Sequence, residues 1–163
     1  MSIKISYSKP VGKAIEEAVE DVKKQVEARS YTAANELRNS ALNILRGARS
    51  GRVYKVPGTY RRQRDKISGK MKNGRYYTAS APGEPPAMRL GHFRRSWHPT
   101  ALKQGTTYIS RIESDLQVGT KKKYLLGEIL EDGTSRMSPR PHHEKVLKHA
   151  EPKIRRIYSA PYD

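Results

Sequence analysis

Three groups of side chains have the types and spacing to do chemistry. His142, His143 and His149 cluster near the C-terminus, and His142 and His149 are seven apart, so on a helix they share one face. A zinc-type set needs a third ligand there, with Glu144 or Glu151 in reach; without it these are solvated or interface histidines, which is the reading favoured here. Glu128, Glu131 and Asp132 form a carboxylate cluster, and paired carboxylates can serve acid–base chemistry or bind metal. They adjoin Gly133, however, and Asp-Gly is a common turn pair, so turn and surface roles are expected of them. No phosphate-cradling loop, nucleophile elbow, HExxH or calcium loop is present in the sequence. A non-enzymatic chain is therefore expected, with no catalytic residue, no cofactor and no metal.

The third group is basic. Residues 46–75 hold eleven Lys and Arg against Asp65 alone, a net +10 of the chain's +17. Arg52, Lys55, Arg61, Arg62, Arg64, Lys66, Lys70, Lys72 and Arg75 lie in this stretch, interleaved with Tyr54 and Tyr60 and followed by Tyr76 and Tyr77. Cations neutralise phosphates and tyrosines stack on unpaired bases, so the stretch could hold nucleic acid. An acidic protein partner that orders the segment on docking, or a solvated loop, would suit the same residues.

These residues must be positioned by a chain of 163 residues, 35% hydrophobic, which suits one modest core. Cysteine is absent, so disulfides and thiolate metal sites are excluded. No apolar run approaches the roughly 20 residues of a membrane span, and residues 1–10 lack the apolar stretch of a signal peptide. The expectation is a soluble chain made in the cytoplasm, with no membrane contact.

Ile3, Ile5 and Tyr7 alternate with polar residues, a weak strand signal. After Pro10, Val11, Ile15, Ala18, Val22, Val26, Ala33, Leu37, Ala41 and Ile44 recur at helical steps, with no Gly between Gly12 and Gly47. The spacing predicts one helix over residues 11–45. Residues 46–91 read as a basic, Gly/Pro-rich loop or extended arm, in which residues 52–56 and 75–78 could pair as a hairpin. Beyond it, residues 93–97, 106–113, 116–119 and 124–130 are candidate strands, the last equally a helical turn. A helix starting at His142 or His143 follows, which Pro152 should bend or interrupt. The whole predicts a single α+β domain over residues 1–163: a long N-terminal helix packed on an antiparallel β-sheet, a basic excursion and a C-terminal helix.

Three short motifs remain: residues 80–87 (SAPGEPPA), residues 90–97 (LGHFRRSW) and residues 130–141 (LEDGTSRMSPRP). In this order they resemble the tail-completion, or head–tail joining (neck), proteins of long-tailed bacteriophages. That family pairs Ala-Pro-Gly-Glu-Pro-Pro with Gly-x-Leu-x-x-Ser, then Glu-x-Gly-Thr and Arg-Pro before a final helix. The matching residues here are Pro82, Gly83, Pro85, Pro86, Gly91, Ser96, Glu131, Gly133, Thr134, Arg140 and Pro141, with Phe93 where the family has Leu. The resemblance implies a structural virion protein of the neck or top of the tail. Its implied form is a homo-oligomeric ring, hexameric by tail symmetry. Its implied partners are the neighbouring connector, terminator or tail-tube proteins, with genomic DNA in the lumen. The alternative function is nucleic-acid binding by residues 46–75. Within the third motif, the planar fork of Arg140 is expected to reach a carboxylate such as Glu131.

Overall fold

The computed structural model describes residues 11–56, 63–64, 71–72, 75–120 and 122–162. Helix α1 (Val11–Arg46) runs unbroken for 36 residues, about 54 Å at 1.5 Å per residue. Its apolar stripe is continuous in sequence, but the rest of the described chain covers it only from Ser30 onward. Ser30, Ala33, Ala34, Leu37, Ser40, Ala41 and Leu45 are buried, whereas Val11, Ile15, Val19 and Val22 are exposed. The alternation predicted for residues 1–8 lies outside the described residues.

The predicted hairpin is present. Strand β1 (Val53–Lys55) pairs antiparallel with β4 (Tyr76–Thr78), extended by Val56 N–H to the Arg75 carbonyl and Ala79 N–H to the Arg52 carbonyl. Within this pair along the chain, β2 (Gln63–Arg64) pairs with β3 (Met71–Lys72). The segment read as a loop or arm is thus an arm with nested antiparallel pairs.

Residues 93–97 are not a strand. Gly91, at φ 79°, starts the short helix α2 (His92–Arg95), and the strand β5 begins where that helix ends, spanning Trp97–Gln104. Strand β5 pairs with β6 (Thr107–Ser114) through a turn at Gly105, whose φ of 61° suits glycine. Pro99 is tolerated because β5 has only one partner and leaves an edge free of ladder donors. Burial alternates along β6, which sets Tyr108, Ser110, Ile112 and Ser114 toward α1. Residues 124–130 divide: β8 (Tyr124–Leu125) pairs with β7 (Gln117–Val118), and helix α3 takes Leu126–Asp132. The expected sheet is therefore a set of two-stranded antiparallel pairs.

Helix α4 (His143–Ser159) packs along α1. It is not interrupted at Pro152, since both Pro152 and Lys148, whose carbonyl loses its helical donor there, lie on the exposed face where water can serve that carbonyl. Small side chains let the two helices approach: Ala33, Ala34, Ala41 and Ala150 are almost fully buried, with Val146 and Trp97 beside them. Several polar groups inside are satisfied. Ser40 Oγ lies 2.9 Å from His149 Nδ1, Ser110 Oγ donates to the Ser30 carbonyl at 2.7 Å, and Arg38 Nε donates to the Trp97 carbonyl at 3.0 Å. Arg29 closes the covered part of α1, donating to the Ala160 and Pro161 carbonyls and lying 3.9 Å over the Tyr162 ring.

Candidate functional site

The three motifs, up to 60 residues apart in sequence, meet around one groove of about 550 Å³ between the arm base, α2 and α3. Its apolar wall comes from Leu90, Phe93, Leu126, Leu130 and Met137, and its charged side chains, Arg89, Arg94 and Arg140, are all cationic. Arg89 and Arg94 pair with no carboxylate among the described residues.

Several motif residues hold this shape. Ser80 Oγ donates to the Pro85 carbonyl at 2.7 Å, and the Pro86 carbonyl accepts from Arg49 Nη2 at 3.1 Å. Pro82 leads into Gly83, at φ 78°, whose N–H meets the Pro139 carbonyl at 3.2 Å and so ties the first motif to the third. Ser96 Oγ closes α2 onto the Phe93 carbonyl at 2.9 Å and reaches Ser114 Oγ at 2.6 Å. Thr134 bridges Met137, its N–H to that carbonyl at 2.8 Å. Arg140 does not reach Glu131 as expected. Its Nη1 donates to the Ser80 carbonyl at 2.6 Å, a second tie between the first and third motifs, and Pro141 then turns the chain into α4.

Glu131 instead serves the start of α4. Its Oε2 accepts from the backbone N–H groups of His142 at 2.9 Å and His143 at 3.3 Å, orphan donors of a helix N-terminus. The same oxygen lies 2.7 Å from His142 Nδ1. That nitrogen also faces the Arg140 carbonyl at 3.1 Å. Both neighbours are acceptors, so Nδ1 carries the proton, and Nε2 is left buried without a partner. The His142 ring is 1% exposed and stands edge-on to Phe93 at 5.5 Å and Trp97 at 5.9 Å. Sequence reasoning also missed Glu84, inside the first motif. Its carboxylate takes Ser50 Oγ at 2.6 Å and the N–H groups of Ala81 and Ser50, which hold it at about pKa 2, the Ser50 hydroxyl contributing most.

Glu131, His142 and His143 bring three ligand atoms within 4.8 Å of one another. The 2.7 Å contact is a hydrogen-bond distance, shorter than the roughly 3.4 Å between two ligands on a tetrahedral ion with bonds near 2.1 Å. The carboxylate caps and the imidazole packs. The histidine set weighed from sequence is not assembled, since His149 turns to Ser40.

Of the basic residues, Arg52, Lys55 and Arg75 are exposed at the arm base. Arg52 stands 5.8 Å over Tyr54, Lys55 stands 5.7 Å over Tyr76, and Tyr54 stacks on Tyr77 at 5.9 Å. Arg64 and Lys72 occupy β2 and β3, opposite Met71 and Gln63. Arg61, Arg62, Lys66 and Lys70 lie outside the described residues. No family model matches the sequence, and no curated protein or solved structure does.

Burial pushes the His142 imidazolium below its ordinary pKa. The Arg140 carbonyl and the Glu131 carboxylate oppose that push, and His143 adds to it. Between the folded and unfolded pKa values the unfolded chain binds the extra proton. The stability held by neutral His142 is therefore complete above about pH 6.5 and lost as pH falls below it. Thermal midpoints followed by circular dichroism are expected to fall between pH 6.5 and 5, and His142→Asn to flatten that fall. An equal fall in the variant would assign the step to another group.

Proposed function

We propose that this chain is a structural subunit of a long-tailed phage neck, forming a ring, six-fold by tail symmetry, between connector, terminator or tail-tube proteins around the genome conduit. The observation that supports it is the convergence of the three motifs on one groove, with Glu131, Arg140, Ser96 and Gly83 all engaged in holding its shape. Such a site is made for docking, and no nucleophile with an adjacent base assembles there. The chain acts by fit, not by reaction. Among the described residues no helix is long and apolar enough to cross a membrane. In lysates of a phage lacking the gene, filled heads and free tails are expected to accumulate separately, and the purified chain to restore joined particles. Joined infectious particles in its absence would refute the proposal.

The stacked Tyr54 and Tyr77 with exposed Arg52 and Lys55 favour a second reading, contact of the arm with DNA phosphates. Neutralising Arg61 and Arg62 together should then weaken duplex binding for all sequences alike, by about tenfold, and flatten its salt dependence by nearly two phosphate equivalents. Fluorescence anisotropy across a salt series measures both. Unchanged affinity and slope exclude the arm from DNA.

A further inference from the structure

The N-terminal part of α1, residues 11–24, is amphipathic and exposed, with nothing described against its apolar face. Val11 is 65% exposed, Ile15 59%, Val19 47% and Val22 44%. At 100° per residue Val11, Ile15, Ala18, Val19, Val22 and Val26 fall within an arc of about 100°, and over residues 11–28 no charged side chain falls inside it. This is the stripe that Ala33, Leu37 and Ala41 continue into the core. Residues 11–24, a stretch of 14 residues or about 21 Å, stand clear of it, and Val26 is half-buried where the covered part begins.

Its charge differs from the rest of the molecule. Residues 11–28 hold Lys13, Lys23 and Lys24 against Glu16, Glu17, Glu20, Asp21 and Glu27, a net −2, whereas the remainder of the chain carries a net +19. Asp21 flanks the apolar arc on one side, where its carboxylate lies 3.7 Å from the exposed Lys24 ammonium, and Lys23 and then Glu16 flank it on the other. The groove has the complementary character: apolar walls, unpaired Arg89 and Arg94, no carboxylate lining it, and Met88 and Leu90 about half exposed at its rim.

We propose that residues 11–28 of one copy dock, apolar face down, into the groove of a second copy, with Glu16 and Asp21 toward Arg89 and Arg94. The mode is a helix in a groove, anchored at i, i+4, i+8 and i+11. Pairing of two such helices with each other would set −2 against −2 and leave the cationic groove uncovered. Docking of unlike surfaces is head to tail, the contact from which a ring closes. It supplies the subunit contact of the proposed neck ring, and rests on that reading only in requiring self-association.

The chain has no cysteine, so single introduced thiols report contacts cleanly. Val22→Cys and Leu90→Cys each place one thiol on an exposed site, and when the two full-length proteins are mixed any disulfide joins two molecules. Under mild oxidation the mixed Val22→Cys/Leu90→Cys dimer is expected at least tenfold above Val22→Cys mixed with Lys103→Cys, a thiol at the tip of the β5–β6 hairpin. Adding Arg89→Glu and Arg94→Glu to the groove partner should lower the mixed dimer about tenfold, and Glu16→Lys with Asp21→Lys on the helix partner should restore it. Preferential Val22→Cys homodimer would mean helix-to-helix pairing and overturn the proposal. So would a chain that stays monomeric at millimolar concentration with no mixed dimer. A mixed dimer from a chain dispensable for head–tail joining would leave this contact standing and remove the neck function; joining without the mixed dimer would do the reverse.

Discussion

Replacing Trp97 by alanine should lower stability to urea by about 3–5 kcal/mol, the range for truncating a buried large aromatic. Trp97 is 6% exposed and opens β5 at the place where α1, α2 and α4 meet. Its ring stands edge-on to Phe93 at 5.5 Å and to His142 at 5.9 Å, and those contacts go with it. The core around it is small and rich in alanine, so neighbouring side chains have little length with which to fill the space. Total stability of a domain this size is about 5–15 kcal/mol, so the variant approaches the edge of folding. Trp97→Phe separates packing from polarity. The indole Nε1 is buried and has no hydrogen-bond partner, so phenylalanine keeps most of the ring and breaks no bond, and the expected loss is under about 1.5 kcal/mol. Far-UV circular dichroism at 222 nm follows both transitions, since the fluorophore is removed in each. Equal losses would show that the indole's outer ring or its N–H, not the aromatic body, holds the site.

How much of this was legible in the sequence depends on the range of the interaction. The course of α1 was, because a 3.6-residue period is a local property of Val11 to Ile44; that the fold covers only the part beyond Ser30 was not, because it depends on where α4 and the β5–β6 hairpin return. The arm base was legible for the same reason, as two short β-prone runs able to meet in register. Residues 93–97 misread because Phe93 and Trp97 carry β-propensity, while the left-handed turn at Gly91 and the Ser96 hydroxyl on the Phe93 carbonyl decide the backbone there. In the candidate site, the residues of the three motifs stood out by type, but their partners did not. Glu131 and Arg140 are close in sequence and opposite in charge, which suggests a pair. The fold gives Glu131 the start of α4 and Arg140 the Ser80 carbonyl, 60 residues away. Glu84 was hidden by its neighbours: flanked by Pro85 and Gly83 it reads as loop, and only the return of Ser50 makes it a clamp.

Gly133→Ala is expected to be the most damaging single change in the third motif, at about 3 kcal/mol or more. Gly133 ends α3 at φ 78°, ψ −168°, a region in which side-chain-bearing residues are strained by about 1–3 kcal/mol. Strain is only part of it. A Cβ there would stand 2.6 Å from the Met137 carbonyl oxygen and 2.8 Å from the Pro139 nitrogen, both backbone atoms that cannot rotate aside. Either the Thr134–Met137 bridge opens or α3 shifts, and α3 carries Leu126 and Leu130 of the groove and the Glu131 cap of α4. Gly83 provides the control, because it too has φ 78° but a Cβ there meets nothing within 4 Å. Gly83→Ala should therefore lose only the conformational part, about 1 kcal/mol. Urea midpoints give the two losses, and the mixed thiol dimer gives their effect on the groove: Gly133→Ala in the Leu90→Cys partner should abolish the cross-link under conditions where the variant is still folded, and Gly83→Ala should leave it in place. If the two alanine variants lost the same stability, the backbone clash at Gly133 would not be what fixes the end of α3, and the groove would owe its shape to the Arg140 and Glu131 contacts alone.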